Sequence, residues 1–449
     1  MRFLLVAVAI LCARSPGARA ITVVFDEAHG QHFRAKQTVW QALRAPFRSV
    51  GAREKALLET HVRNALKIVE RSKELRGAFM KLVQILSMPD DVLPPEALRI
   101  LSVVQSSVPP MDYRLIRQQV VRELGQPPER LFAQFEPAAF AAALLGQVHR
   151  ARLRSGEDVV VKVQYPGVEE TVDQDLAAIK VLLQTFAVIG RDRMRQKVDE
   201  SEVYHELEER LHKELDYVNE VKNITLFRRL FRNDPEVLIP TVFADYSSRR
   251  VLTMTRLEGY PLADILLPGV EQALKDWVAI KYFRVLARQL FEFGVLHTDP
   301  HPGNYLVTYH PTLGMLDFGS IRIFPPTIRT SYLHLARAIL ADDATAMTDC
   351  FMRLGFLDRG DNPEPLVRII HLVFGPVLQD KVFDPRRFRS LETALAAATI
   401  GVEGRLFKQP GHRVFLWRAL VGLDTYLKQL GTVINWHREF KAAVERAPA

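Results

Sequence analysis

The chain has 449 residues, of which 48% are hydrophobic and 25% charged, a composition typical of a globular protein with one large or two ordinary cores. Its formal net charge of +8 favours acidic partners such as an anionic membrane surface, although ordinary solvated helix faces explain the same excess. The basic clusters contain too few aromatic residues for base stacking, so we expect no nucleic-acid partner. With only Cys12 and Cys350, a disulfide framework and a thiolate metal site are excluded.

The first 20 residues have the pattern of a signal or anchor segment. Arg2 precedes an apolar run over residues 3–13, and Ala18-Arg19-Ala20 provides a small-x-small exit. The run is too short to span a bilayer, and no other stretch reaches the ~18 uninterrupted apolar residues of a membrane helix. The pattern leaves export, organelle targeting and anchoring open as expectations.

The remaining elements follow in chain order. Helical periodicity separated by prolines predicts an N-terminal helical extension over residues 21–125, with its last helix over 112–124. Alternating apolar residues at 148–153 and a β-branched run at 159–163 flank a Gly156 turn and predict a hairpin. We expect helix over 169–231, short strands over 237–245 and 250–255, and mostly helix from 262 onward, with strands near 305–307 and 315–316.

Phosphoryl-transfer chemistry is indicated by a run from His297 to Asn304 and by a later Asp317-Phe318-Gly319. Asp299 stands five positions before Asn304 and can orient or deprotonate a hydroxyl group. Asn304 and Asp317 carry the hard oxygen ligands that Mg²⁺ prefers. His297 is expected to support the backbone of the loop.

A transition-metal site is the alternative interpretation of the same run. His297, Asp299 and His301 stand at alternate positions, and such a set can hold a metal for hydrolytic chemistry. Pro300 and Pro302 make the segment a loop rather than a flat strand, and no second metal motif accompanies it. The phosphoryl-transfer interpretation is therefore preferred.

Taken together, the motifs resemble those of the UbiB/ADCK (aarF-domain) family of atypical protein-kinase-like proteins. The resemblance also rests on three further runs, which are Gly146–Ala151, Val161–Gly167, and Glu214-Leu215-Asp216 with Glu220. It implies an α+β, protein-kinase-like two-lobe fold. The expected segments are a signal-like or anchor segment at 1–20, the helical extension at 21–125, a small β-bearing N-lobe at 126–258 and a helical C-lobe at 259–440.

The resemblance also implies roles for individual residues, with ATP or ADP and Mg²⁺ as cofactors. Asp299, Lys162 and Glu220 would be catalytic, and Asn304 and Asp317 would bind the metal. The residues expected to contact the nucleotide are Lys162, Ala142, Ala143, Gly146, Met254, Glu214, Lys81 and Gln84. Glu214 and Asp216 stand two apart in a predicted helix, so only one of them is expected to face the site.

Three positions depart from the pattern of the family. Leu144 stands in an Ala-rich loop where the family usually has Ser, Val83 replaces the Gly of a Lys-x-Gly-Gln motif, and Thr255 stands where relatives commonly have Glu. The resemblance implies an ATPase or a small-molecule or lipid kinase that supports isoprenoid-quinone metabolism, associated with a membrane on its ATP-accessible side. Nucleotide, isoprenoid lipid or anionic membrane, and quinone-biosynthesis proteins are the expected partners. A nucleotide-binding pseudokinase scaffold without turnover is the alternative.

Overall fold

The computed structural model describes residues 111–143, 145–168, 208, 215–299, 302–387 and 412–448. They fall into two compact units. The first contains the chain up to Tyr217 together with Ala244–Thr253, and the second contains Val218–Phe243 and the chain from Met254 onward. The predicted sites at Lys81, Gln84 and Glu214 lie outside the described residues, and the four predicted segments stay a prediction.

The first unit is built around a sheet that two helices precede. Helix α1 begins after Asp112, whose carboxylate accepts from the N–H of Arg114 at 2.7 Å, and ends at Gly125 in a left-handed conformation with φ 76°. The described strands form one five-stranded sheet in the order β1-β3-β4-β6, with β2 paired to β3. Its elements are α1 (Tyr113–Leu124), α2 (Pro128–Leu131), β1 (Gln134–Phe135), β2 (Ala141–Ala143), β3 (Gly146–Arg152), β4 (Asp158–Gln164) and β6 (Val251–Thr255).

Strands β3 and β4 confirm the predicted hairpin. They pair antiparallel through seven residue pairs, with Val148 opposite Lys162. Val159, Val161 and Val163 are fully buried, and the residues between them are at most 9% exposed, so both faces of β4 are covered. Ile116 and Val120 of α1 are also fully buried, so the helix contributes to the core of the same unit.

The second unit is mostly helical and carries two small sets of strands. The described strands form a four-stranded sheet in the order β5-β10-β9-β7 and a separate pair β8–β11. The strands are β5 (Val237–Leu238), β7 (Tyr260–Pro261), β8 (Val295–His297), β9 (Tyr305–Val307), β10 (Leu313–Met315) and β11 (Ile321–Ile323). The helices are α3 (Tyr217–Leu230), α4 (Leu262–Ile265), α5 (Gln272–Ala287), α6 (Pro326–Leu340), α7 (Ala344–Arg353), α8 (Glu364–Val373), α9 (Gly375–Leu378), α10 (His412–Leu430) and α11 (Trp436–Arg446).

These strands place two loops side by side. Residues 298–304 connect β8 to β9, and residues 316–320 connect β10 to β11. Because β9 pairs with β10 and β8 pairs with β11, both antiparallel, each end of one loop lies against an end of the other. The backbone N–H of Leu316 donates to the carbonyl of Asn304 at 2.9 Å, which joins the loops directly. The prediction of helix from 262 onward missed β8 and β11.

A charged cluster joins helix α5 to the turn before β5. Lys281 is only 5% exposed, and its ammonium lies 2.8 Å from Asp234 and 3.0 Å from Glu236. Arg288 lies 2.8 Å from the other oxygen of Asp234. Burial acts to raise the pKa of Asp234, but the hydrogen bond and the charge of Lys281 outweigh it and lower the pKa. Within the described part of the chain, no helix has the length and apolar character needed to cross a membrane.

Candidate active site

The loop after β8 holds Asp299 against Asn304. The amide nitrogen of Asn304 donates to the backbone carbonyl of Asp299 at 3.1 Å and to its Oδ2 at 3.0 Å. The nitrogen side of the Asn304 amide is therefore committed to Asp299. Its Oδ1 is the atom with the chemistry to face a cation, while Asp299 keeps a defined carboxylate orientation.

His297 joins the two loops through both of its ring nitrogens. Its Nε2–H donates to the carbonyl of Asp317 at 2.7 Å, because a carbonyl can only accept. Its Nδ1 then accepts from the backbone N–H of Asp299 at 3.3 Å. The ring is 2% exposed, and the amide oxygen of Gln289 accepts from the N–H of His297 at 2.7 Å. The prediction that His297 supports the backbone of the loop is confirmed.

The Asp317-Phe318-Gly319 turn is held from several sides. The N–H of Gly319 donates to Oδ1 of Asp317 at 2.8 Å, which orients the carboxylate. Glu220 of α3 accepts from the N–H of Phe318 at 3.4 Å, and Asn223 donates to the carbonyl of Phe318 at 2.8 Å. Phe318 itself is fully buried. The predicted catalytic Glu220 therefore contacts the loop that carries Asp317.

The donor set of the second unit fits magnesium. Asn304 and Asp317 offer amide and carboxylate oxygens, which are hard ligands for a hard cation. Among the described residues, no group of three or more His, Cys, Asp and Glu side chains is arranged to hold a metal. His297 has both ring nitrogens engaged, and His301 lies outside the described residues, so the geometry gives the alternative transition-metal site no support.

Three buried tyrosines pack behind the loop that carries Asp299. The ring of Tyr282 lies edge-on to Tyr305 at 5.0 Å and to Tyr426 at 5.6 Å between centroids, and Tyr305 directly follows Asn304. Burial raises the pKa of Tyr305, and the negative charge of Asp299 acts in the same direction. The phenol of Tyr305 therefore stays protonated. It packs behind the loop as an uncharged side chain and does not serve as a second base.

In the first unit, Lys162 and Gln164 project from one face of β4, since they are two residues apart. Lys162 is 8% exposed, and its ammonium lies 5.3 Å from the centroid of the Tyr217 ring. Gln164 is fully buried and donates from its amide to the carbonyl of Leu215 at 2.7 Å. Both side chains thus hold the segment at 215–217. The predicted pairing of Lys162 with Glu220 stays a prediction, because the two residues belong to different units.

The predicted helix over residues 169–231 is interrupted at Leu215 and Asp216. Leu215 lies in a turn, Asp216 is irregular, and α3 begins only at Tyr217. Leu215 is 2% exposed. The argument that residues two apart on a helix face different ways therefore does not apply to Asp216.

The Ala-rich segment forms a strand rather than a loop. Ala141–Ala143 make up β2, which pairs antiparallel with β3, so that Ala142 lies opposite Gln147 and Ala143 opposite Gly146. A Cβ added at Gly146 would lie 2.2 Å from the carbonyl oxygen of Val163, so this position requires glycine. Met254, predicted to contact the nucleotide, lies in β6 and is 4% exposed. The nucleotide roles of these residues stay predictions.

A buried polar pair at the start of β3 was not predicted from the sequence. The amide oxygen of Gln147 accepts from the N–H of Met111 at 2.9 Å, and its amide nitrogen lies 3.0 Å from Nε2 of His149. Nδ1 of His149 donates to the carbonyl of Glu136 at 2.8 Å, so Nε2 is the acceptor for Gln147. Gln147 is 1% exposed and His149 is fully buried. The alternation of residues along the strand could not reveal these partners, because Met111 lies 36 residues before Gln147 and Glu136 lies 13 residues before His149.

The fold defined by these elements is that of a kinase-like protein. A solved structure of the Mycobacterium tuberculosis protein Rv3197 in complex with erythromycin superposes with a TM-score of 0.60, covering 88% of this chain and 98% of that one. The two chains are 23% identical, so the likeness concerns the fold. The predicted α+β kinase-like class is confirmed.

Sequence comparisons identify the family. The profile of the ABC1 atypical kinase-like domain matches residues 103–351, which is more than half of the chain. An aarF domain-containing protein kinase of Arabidopsis thaliana, described as chloroplastic, is 35% identical over 372 residues, covering 81% of this chain and 51% of the relative. The mitochondrial atypical kinase COQ8 of Saccharomyces cerevisiae is 32% identical over 296 residues, covering 66% of this chain and 58% of COQ8.

The chain therefore belongs to the ABC1 atypical kinase-like family, as its motifs predicted. It spans 51% and 58% of the length of these two curated relatives.

Proposed function

We propose that the chain binds ATP or ADP with Mg²⁺ and catalyses phosphoryl transfer to water or to a small molecule. The observation that carries this proposal is the pairing of the two loops in the second unit. Asn304 is bonded to Asp299, and the backbone of Asn304 is bonded to the segment that leads into Asp317. A base and two metal-ligand residues therefore lie on loops that are hydrogen-bonded to each other, as phosphoryl transfer requires.

Asp299 is the group that handles the proton. Its carboxylate is oriented by Asn304, and it accepts the proton of the attacking hydroxyl as that oxygen bonds to the terminal phosphorus of ATP. The bond from phosphorus to the bridging oxygen breaks, and ADP leaves with its electron pair. Magnesium bound by Asn304 and Asp317 would supply positive charge for the phosphate oxygens. Lys162, which belongs to the first unit, is proposed to contact the phosphates of the nucleotide.

Catalysis by such a site depends on the metal-binding carboxylate. We expect Mg²⁺-dependent stabilisation by ATP and ADP, measured as a rise in melting temperature, together with phosphate release. Asp317→Asn is expected to remove the magnesium-dependent part of the stabilisation and to slow phosphate release about 100-fold or more, since the metal supplies several kcal/mol of charge stabilisation.

Asp349→Asn is the matched control, because Asp349 is exposed on α7 and the same charge is removed. Equal loss in both variants would contradict a specific role for Asp317. Nucleotide binding without phosphate release in the wild type would favour the pseudokinase scaffold. That alternative is suggested by the departures from the family pattern at Leu144, Val83 and Thr255. No response to any nucleotide would contradict both functions.

The acceptor is proposed to be a lipid or small molecule of isoprenoid-quinone metabolism, at an anionic membrane surface. The family resemblance and the net charge of +8 support this proposal. Co-sedimentation with phosphatidylglycerol vesicles, compared with neutral phosphatidylcholine vesicles, tests the membrane part of it. Equal recovery with both kinds of vesicle would contradict an electrostatic membrane attachment.

A further inference from the structure

One face of helix α3 holds Phe318 at three points. Glu220, Asn223 and Phe227 are spaced three and four residues apart, so they share this face. Asn223 donates to the carbonyl of Phe318 at 2.8 Å, and Glu220 accepts from its N–H at 3.4 Å. The ring of Phe227 packs edge-on against the ring of Phe318 at 5.3 Å between centroids. The main chain and the side chain of Phe318 are therefore both fixed by the same helix.

These contacts fix two successive peptide planes. In the plane between Asp317 and Phe318, the carbonyl accepts from His297 and the N–H donates to Glu220. In the plane between Phe318 and Gly319, the carbonyl accepts from Asn223, and the N–H donates to Oδ1 of Asp317. Every polar atom of the two planes thus has a partner, and Asn223 is the partner that lies outside all of the recognised motifs.

The second plane is the one that orients the metal-binding carboxylate. If the carbonyl of Phe318 loses its donor, the plane is free to rotate, and the N–H of Gly319 rotates with it. The hydrogen bond from Gly319 to Asp317 is then weakened, although Asn223 does not touch Asp317. Groups in this position around a metal ligand commonly set both its direction and its affinity for the metal.

We propose that Asn223 is a positioning residue for Asp317, and that it sets the affinity of the site for Mg²⁺ by fixing the peptide between Phe318 and Gly319. The inference rests on the proposed function, because it assigns Asp317 to the metal. It predicts a defect in the magnesium dependence of nucleotide binding rather than a general loss of binding or of folding.

The experiment is a Mg²⁺ titration of the ADP-induced rise in melting temperature, at fixed ADP and with a chelator in the zero-metal sample. Asn223→Leu removes the donor at similar volume and is expected to raise the magnesium midpoint about tenfold. The stabilisation by ADP without metal is expected to be unchanged. Asn223→Asp, which places an acceptor against the carbonyl, is expected to raise the midpoint at least as much and gives a second variant if Asn223→Leu does not fold.

Thr225→Val is the matched control on the same helix. The hydroxyl of Thr225 is exposed and donates within its own helix to the carbonyl of Val221 at 2.8 Å, so its removal should leave the midpoint unchanged. A purely structural role for Asn223 would lower the melting temperature equally with and without magnesium, and that result would overturn the inference. A wild-type midpoint in both Asn223 variants would also overturn it while leaving the proposed function intact. A wild type that shows no magnesium effect would overturn both.

Discussion

The hairpin region of the first unit and the paired loops of the second unit are positioned by different kinds of contact. In the first unit, Gly146 lets β3 approach β4 so closely that a single added carbon would meet the carbonyl oxygen of Val163. In the second unit, side chains such as Asn304, His297 and Asn223 hold backbone groups at hydrogen-bonding distance. The first region depends on the size of its residues, and the second depends on their donors and acceptors.

This difference explains where the departures from the family pattern matter. Leu144 follows β2 in the chain and Thr255 ends β6, whereas Asp299, Asn304 and Asp317 are all present in the two paired loops. The residues of the second unit that are proposed for phosphoryl transfer are therefore all present. The departures bear instead on the proposed affinity for nucleotide, because that affinity depends on how closely a backbone can approach phosphate.

Adding one methyl group at Gly146 is the strongest test of the first half of this comparison. We expect Gly146→Ala to lower the free energy of unfolding by about 3 kcal/mol or more, because the Cβ would lie 2.2 Å from a backbone oxygen that cannot rotate away. Urea denaturation measures the change.

Gly156→Ala adds the same methyl group in the turn of the same hairpin and provides the comparison. No atom lies within 4 Å of the added Cβ there, and only its φ of 106° is unfavourable for alanine. We expect a smaller cost of about 1–2 kcal/mol from backbone strain. Equal losses of unfolding free energy at the two positions would show that the close approach of β3 to β4 is not the reason why residue 146 must be glycine.

Removing one acceptor tests the second half of the comparison. Gln289 is 1% exposed, and its amide oxygen accepts from the N–H of His297 at 2.7 Å. We expect Gln289→Leu to lower the free energy of unfolding by about 2 kcal/mol, because a buried N–H is left without its acceptor. Urea denaturation again gives the measurement.

Gln429→Leu is the control for the change from amide to isobutyl, since Gln429 is exposed on α10. Its effect is expected to stay within about 0.5 kcal/mol. If Gln289→Leu were as well tolerated, the loop after β8 would be positioned by packing alone, and the contrast between the two regions would disappear.

The candidate catalytic and metal-binding residues could be proposed from the sequence because their signal is local. Asp299 and Asn304 lie five positions apart in one loop, and Asp317 opens a recognisable tripeptide. The β3–β4 hairpin was equally accessible, since apolar residues alternate along the first strand, β-branched residues fill the second, and a glycine turn joins them. In both cases, neighbouring residues in the chain carry the information.

The parts that were missed depend on partners far away in the chain. Strands β8 and β11 have only three residues each, and Ile321 pairs with His297, so no period could reveal them. Asn223 reads as a polar residue on a helix surface until Phe318, 95 positions later, is placed beside it. The helix predicted over residues 169–231 missed the turn at Leu215 for a related reason, because that turn is held by the buried Gln164 of strand β4.

The smallest expected effect concerns the one titratable group that the hairpin region buries completely. Burial lowers the pKa of His149, although the hydrogen bond to the carbonyl of Glu136 and the charge of Glu136 oppose this. In the folded chain the neutral ring accepts from Gln147 through Nε2, and protonation would place two donors against each other. The unfolded chain gains a proton near pH 6.5 and the folded chain only at a lower pH, so the contribution of His149 is complete above about pH 6.5 and is lost as the pH falls from there toward the lowered pKa.

We therefore expect the wild type to lose unfolding free energy through this one group as the pH falls below 6.5, at no more than about 1.4 kcal/mol per pH unit. His149→Gln should remove that part of the slope, as measured by urea denaturation at several pH values between 5 and 8. His310→Gln, at an exposed position, is the matched control and should leave the slope as it is in the wild type. An unchanged slope in His149→Gln would mean that the folded chain takes up the proton as readily as the unfolded one. The hydrogen bond from Gln147 would then not keep the ring of His149 neutral.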